Sequence, residues 1–181
     1  MMRHCLEGDR RFGVVLIKSG SDVGAPAIPE GIGTIARIEE VKTLDDGRMV
    51  IGVEGEQRFR ITEIVEQFPY IKVEAELLHD DSAPDVRQDL MDEVTRAVTA
   101  HLKLLMGLRG EWTRELTVPT DPASLSYFVG SQLQGDVIGK QGILEATSTS
   151  RALELGLRLL DEESVALISL LDERLGKSSG N

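Results

Sequence analysis

The sequence is poor in cysteine and in aromatic residues. It has one cysteine, Cys5, and aromatic side chains at only 4% of its 181 positions. A lone cysteine cannot form an internal disulfide, which suits a reducing cytoplasm. Apolar residues make up 41% and charged residues 28%, which is ordinary for a globular protein. We therefore expect a cytoplasmic protein with a mainly aliphatic core.

Long apolar runs and positive charge are also scarce. No run reaches the roughly 18 residues of a membrane-spanning helix, and MMRHCLEGDRRFG lacks the apolar centre of a signal peptide. The 20 Lys and Arg residues stand against 31 Asp and Glu, so the formal net charge is -11. Such a surface repels nucleic acid and anionic lipid. The composition predicts no membrane partner and disfavours nucleic acid.

Motifs of common catalytic and metal sites are missing. The histidines, His4, His79 and His101, are far apart and form no ligand pair, so surface or helix-face positions are expected for them. No G-x-S-x-G motif occurs. Sequence spacing does not exclude a Ser-Lys dyad, but nothing favours one. The sequence therefore predicts no catalytic residue, no cofactor and no metal site.

Two glycine-containing segments partly match the sequence motifs of nucleotide-binding loops. Gly31–Ala36 matches G-x-G-x-x-A, but a strand-like segment follows it where a dinucleotide site needs a helix. Gly135–Gly142 has one residue too few between its first glycines, and Gln141 follows Lys140 where a phosphate loop needs Ser or Thr. Neither segment predicts a phosphate site.

The carboxylate clusters are predicted to be solvated charge. They are Asp45-Asp46 in a turn, Asp80-Asp81 in a linker and Asp161-Glu162-Glu163 on a helix. Trp112 falls in a predicted loop between helices, where it either caps the core or anchors a partner. The core role is favoured.

The first half of the chain has the pattern of an antiparallel meander. Asp46-Gly47 predicts a two-residue hairpin turn of type I′, which needs positive φ at both central positions. The predicted strands are Phe12–Lys18, Ile32–Leu44, Arg48–Ile64 and Tyr70–Leu78.

Arg58 and Arg60, in the segment GEQRFRI, could bind phosphate, serve a catalytic carboxylate or only stabilise a strand. Residue parity places Phe59 toward a core and the two arginines on the other face, together with Glu54 and Glu56. Neighbouring carboxylates on that face can balance the arginines, so an architectural role is favoured. Gly55 is expected to mark a bend or bulge.

The second half is helical. A first helix is predicted from a cap at Ser82 to Gly107 and Gly110, with an apolar stripe on one face. A second begins at Asp121-Pro122, a short third covers Ile138–Thr147, and a long last element follows. The stripe is formed by Val86, Leu90, Val94, Ala97, Leu102 and Leu105, and the last element carries Leu153, Leu157, Leu160, Leu167, Leu171 and Leu175.

These patterns together predict the α+β class. The expected division is a β-rich part over residues 1–80 and a helical part over residues 81–181.

The chain resembles the N-terminal substrate-binding domain of Lon proteases. The resemblance rests on FGVVLIKSGSDVG, on GIGTIARIEEVKTLDDGRMVIGVEGEQRFRI and on PYIKVEAELL, and extends over roughly residues 1 to 175. Leu125-Ser126, Lys140-Gln141, Leu144-Glu145 and Arg151 hold the places of the family's helical elements. It implies a PUA-like pseudo-barrel followed by a helical bundle.

The chain departs from the family at both ends. It stops where a Lon protease continues into its ATPase module, as standalone Lon-domain proteins of bacteria do. At the start, MMRHCLEGDRRFG is similar to the end of the family's first helix, with Gly8 as its C-cap. The family's opening strand is therefore expected to be missing, through a late start or truncation.

The resemblance implies a non-enzymatic module that binds unfolded or exposed polypeptide, because the catalytic parts of Lon lie in other domains. The unpaired strand edge would also allow self-association. The alternative is a PUA-like RNA-binding protein that uses Arg58 and Arg60 on phosphate, and a third reading is a peptidase. The residues that bind substrate are not identified by the sequence.

Overall fold

The computed structural model describes residues 1–20, 27–79, 86–110 and 116–178. The chain divides into two compact units, Met1–His79 and Asp80–Asn181. A four-stranded antiparallel sheet precedes the long helices, which confirms the α+β class. The elements are α1 (Met2–Glu7), β1 (Arg11–Ser19), β2 (Ile28–Thr43), β3 (Met49–Glu66), β4 (Lys72–Leu78), α2 (Gln88–Arg109), α3 (Pro122–Gln132), α4 (Val137–Glu145) and α5 (Thr149–Ser178).

The strands of the first unit pair in chain order, β1-β2-β3-β4, as the predicted meander requires. β2 begins at Ile28, four residues before the predicted start, and β4 begins at Lys72, two residues after it. Within the described ranges, β1 pairs only with β2 and β4 only with β3, so each leaves one edge open. The PUA-like barrel stays a prediction.

The hairpin between β2 and β3 forms at the predicted place with a different turn. Gly47 has a φ of +83°, whereas Asp46 does not reach the left-handed region. Gly47 N–H donates to Leu44 O at 2.9 Å, and Leu44 N–H donates to Arg48 O at 2.8 Å. A three-residue turn that ends in a left-handed glycine replaces the type I′ turn, because only the glycine adopts positive φ here.

The predicted irregularity in β3 lies next to Gly55. Ile35 pairs with Gln57 and Ala36 pairs with Gly55, so Glu56 is the extra residue of a bulge. A bulge shifts the alternation of faces by one position. Glu54 is therefore displaced from the face that it was expected to share with the arginines.

The helical unit is built around a buried aliphatic cluster. Asp121 caps α3 by accepting the Ser124 N–H at 2.9 Å, and Pro122 follows it, as predicted. Gly110 ends α2 with a φ of 72°, and Gly107 lies inside that helix. The fully buried side chains of the cluster are Val94, Val98, Leu125, Val129, Leu133, Leu153 and Leu160.

The buried face of α2 differs from the predicted stripe. Val98 and His101 are buried where Leu102 and Leu105 were expected, and the two leucines are only half-buried. The helix begins at Gln88 rather than at Ser82. Ser82, Asp80-Asp81 and Trp112 lie outside the described residues, so the predictions on them stay predictions.

Candidate functional site

The tip of the aromatic ring of Phe59 lies close to two glycines, Gly33 of β2 and Gly13 of β1. Gly33 pairs with both Val15 and Phe59, so these three residues lie side by side across three strands. A Cβ on Gly33 would stand 2.9 Å from the tip of the Phe59 ring, and so would a Cβ on Gly13. Phe59 is 3% exposed. The missing side chains of the glycines thus leave room for the ring to extend from β3 over β2 toward β1.

A groove of about 930 Å³ lies over this face of the first unit. Its floor is formed by Phe59 and Ile61 of β3 and by Gly13 and Val15 of β1. One wall carries Cys5 of α1, and the segment 67–71 between β3 and β4 also lines the groove. The groove is therefore apolar at its base and reaches residues of both edge strands.

Large apolar side chains remain exposed along the groove. Phe68 is 66% exposed, Ile17 39% and Ile71 37%, and all three line it. Exposed aromatic and aliphatic groups beside a concave face are typical of sites that bind another molecule. β1 and β4 are the edge strands of the sheet, and both contribute residues to the groove lining. An extended peptide bound there could therefore also find backbone partners.

One end of the groove is marked by an ionic cluster. Arg11 donates through Nε and Nη2 to Glu56, at 2.5 and 3.2 Å. Arg37 of β2 lies 2.8 Å from the same carboxylate. The hydrogen bond from Arg11 lowers the pKa of Glu56, and the same contact raises the pKa of Arg11. Glu56, the extra residue of the bulge, therefore bridges Arg11 of β1 and Arg37 of β2.

The other end carries Lys72. Its ammonium lies 2.5 Å from Glu66 and 5.5 Å from the centre of the Tyr70 ring. Its hydrogen bond to Glu66 raises the pKa of Lys72. Lys72 and Tyr70 both line the groove.

Arg58 and Arg60 lie away from the groove lining. Arg60 pairs with Glu76 of β4 at 3.5 Å, not with a carboxylate of its own strand. Glu54 pairs with Arg37 at 3.1 Å. For Arg60, the predicted balance with Glu54 and Glu56 is therefore wrong in its partner. The actual partners depend on the bulge at Glu56 and on the register between β3 and β4. Residue parity alone predicts neither of them.

A second polar cluster lies in the helical unit and was missed by the sequence interpretation. His101 is fully buried; its Nδ1 lies 3.2 Å from Ser164 Oγ and its Nε2 lies 3.6 Å from Glu163 Oε1. Gln134 N–H donates to both carboxylate oxygens of Glu163, at 2.9 and 3.0 Å. Burial lowers the pKa of His101, while Glu163 and the backbone of Gln132 oppose that effect.

One expectation is corrected by this cluster, and another is confirmed. Glu163 was expected to be solvated, but its side chain is only 17% exposed. His101 lies on a helix face, although on the buried face. The burial of His101 could have been predicted from its position in the sequence. It falls three residues after Val98 and therefore lies on the same stripe of α2. The cluster links α2, α5 and the end of α3.

The positions carried over from the family lie within α3, α4 and α5. Leu125 is fully buried and Ser126 is 3% exposed, with its hydroxyl donating to Ala123 O at 2.7 Å. Gln141 donates to Glu145 along α4 at 2.8 Å. Arg151 contacts Glu154 at 3.3 Å. Each of these contacts lies within one helix.

Within the described residues, no helix is both long and apolar enough to cross a membrane. No cluster of three or more His, Cys, Asp or Glu side chains is placed to hold a metal ion in the same part of the chain.

The family model of the ATP-dependent protease La (LON) substrate-binding domain matches residues 1–162. The Lon protease of Halothermothrix orenii is 31% identical over 135 residues, which are 73% of this chain and 17% of that protein. The Lon protease of Escherichia coli K12 is 26% identical over 168 residues, 88% of this chain and 21% of that protein. The chain thus spans about a fifth of the length of these relatives.

Solved structures show the same fold. A Lon N-terminal domain protein from Xanthomonas campestris superposes with a TM-score of 0.61 at 23% identity, covering 84% of this chain and 77% of that one. The N-terminal domain of a Mycobacterium avium complex Lon protease gives 0.52 at 16% identity, covering 83% and 89%. The α+β architecture is shared with both.

Proposed function

Because the chain belongs to the Lon substrate-binding domain family, we propose that it is a protein-binding module that takes unfolded or exposed polypeptide segments into the groove of its first unit. The matched part of the relatives is the region that the family description names as substrate-binding. The proposal assigns no catalytic step to this chain and places it in the cytoplasm.

The groove is the observation that carries this proposal. Its floor holds Phe59 and Ile61, and Phe68 and Ile71 stay exposed beside it. An unfolded chain offers apolar side chains that a folded protein hides. Burial of such side chains against the floor supplies binding free energy of roughly 25 cal/mol for each Å² of apolar surface removed from water.

Backbone pairing gives a second source of affinity. A folded partner has most of its backbone N–H and C=O groups already paired, whereas an extended segment can pair with an open strand edge. Both edge strands, β1 and β4, contribute residues to the groove lining. The same open edges would support pairing of two copies of this chain.

The proposal is tested by comparing one protein in two states. A fluorescently labelled protein that stays unfolded after its disulfides are reduced and alkylated is titrated with this chain, and its native form serves as the control. Binding of the unfolded form with a Kd at least tenfold lower than that of the native form supports the proposal. Equal affinity for both forms, or no binding of either, contradicts it.

A further inference from the structure

We infer that the groove selects apolar segments flanked by acidic residues over the same segments flanked by basic ones. This inference rests on the proposed function and names the kind of segment that the groove takes. It opposes what net charge alone would suggest, because a chain of formal charge -11 attracts cations at long range.

The charges that line the groove are of one sign. Among the described residues that line it, the charged side chains are Arg11 and Lys72, and none is a carboxylate. Their exposed fractions, 47% and 49%, leave both cations open to solvent. Glu56 and Glu66 pair with these cations but are not among the lining residues. A lysine or arginine of a bound segment would therefore meet a cation at the groove surface, whereas an aspartate or glutamate would meet opposite charge.

The two cations stand at opposite ends of the apolar floor. Arg11 contacts Glu56 and Lys72 pairs with Glu66, and these two glutamates are separated along β3 by Phe59 and its neighbours. At about 3.3 Å per residue, this part of β3 is roughly 30 Å long. The geometry fits an apolar centre about eight residues long with a carboxylate near each end.

Both cations keep donors for a second carboxylate. Glu56 accepts from Nε and Nη2 of Arg11, and a guanidinium has five N–H donors. Lys72 has three donors, and Glu66 lies beside its ammonium. The pairs with Glu56 and Glu66 position the two cations at the ends of the groove. Because exposed ion pairs contribute little free energy, a carboxylate of a bound segment can share or replace these partners at little cost.

Three peptides with one shared apolar centre test the inference. They carry two Glu, two Gln or two Lys flanking residues and are titrated against the full chain at about 0.15 M salt, where the long-range field is screened beyond roughly 8 Å. We expect the Glu-flanked peptide to bind about threefold tighter than the Lys-flanked one, with the Gln-flanked peptide between them.

Charge reversal at the groove provides the matched comparison. Lys72→Glu should remove or invert the preference for Glu flanks. Lys18→Glu makes the same charge change on an exposed lysine of β1 that does not line the groove, and should leave the preference intact. Lys72→Gln, which only removes the charge, should reduce the preference and replaces Lys72→Glu if circular dichroism shows that the latter is unfolded.

The outcomes separate this inference from the proposed function. If all three peptides bind equally, if Lys flanks are preferred, or if Lys18→Glu shifts the preference as much as Lys72→Glu, the inference is overturned and polypeptide binding stands. If no peptide binds and the unfolded protein of the earlier titration does not bind either, the proposed function fails and the inference falls with it.

Discussion

The ring of Phe59 lies directly over the backbone of Gly33, on the neighbouring strand. Its tip comes within 2.9 Å of the point where a Cβ on Gly33 would stand, and the ring is almost fully buried. The floor of the candidate groove therefore depends on a residue without a side chain. The floor is apolar there because the glycine leaves room for the ring.

Adding a methyl group at Gly33 should destabilise the first unit. A Cβ there would meet Val14 O at 2.6 Å and a methyl of Val15 at 2.8 Å, as well as the ring. Overpacking of this kind typically costs about 1 to 3 kcal/mol. We expect Gly33→Ala to lower the free energy of unfolding by about 2 kcal/mol, measured by chemical denaturation.

Gly31→Ala is the matched control for this substitution. Gly31 lies in the same strand, and a Cβ there would meet no atom within 4 Å. The free energy of unfolding of the Gly31→Ala variant should differ from that of the unchanged protein by less than about 0.5 kcal/mol. Equal effects of the two substitutions would show that the loss comes from the general change of glycine to alanine in a strand, not from the Phe59 contact.

The hairpin and the groove differ in how far the sequence determines them. Asp46-Gly47 located the hairpin correctly because glycine alone readily adopts positive φ, but the turn type depends on which strand residues pair. Only part of the groove floor could be predicted from the sequence. Parity placed Phe59 toward a core, but the contact with Gly33 requires the register between β2 and β3.

The polar cluster of the helical unit could also be predicted only in part from the sequence. The helical period places His101 near the apolar stripe of α2, and three adjacent acidic residues are visible in α5. Which of the three faces the histidine depends on how α2 packs against α5. That long-range contact, between residues 62 positions apart, is not contained in any local pattern.

The stability of the helical unit should fall as the pH is lowered below about 6.5. Burial lowers the pKa of His101, so the unfolded chain takes up a proton at a pH where the folded chain does not. The stabilisation from the neutral ring is complete above the unfolded pKa. It is lost progressively as pH falls from there toward the lowered folded pKa.

Thermal melting at 222 nm between pH 5 and 8 measures this effect. His101→Gln should flatten the dependence of Tm on pH in this range. A double variant, His4→Gln with His79→Gln, changes two exposed histidines and should keep the dependence. The opposite pattern, in which the double variant flattens the curve and His101→Gln does not, would contradict the assignment to His101.

Removal of the α3 cap should cost about 1 kcal/mol. Asp121 accepts the Ser124 N–H, and this hydrogen bond lowers the pKa of its carboxyl group. Asp121→Ala leaves a backbone donor of the first turn without that acceptor. Denaturation of this variant is compared with Asp172→Ala, an exposed aspartate within α5 that should have little effect. Comparable losses would show that capping is not the cause.

The most direct test of the account is the affinity of the groove for unfolded polypeptide after a change at Phe68. Phe68 is 66% exposed, so Phe68→Ser should leave the fold intact while removing apolar surface from the groove. Val50→Ser changes a side chain of β3 that is 55% exposed and does not line the groove. We predict that Phe68→Ser weakens binding of the unfolded protein about tenfold and that Val50→Ser leaves it unchanged. Unchanged binding by a folded Phe68→Ser variant, or an equal loss in both, would contradict the assignment of polypeptide binding to the groove.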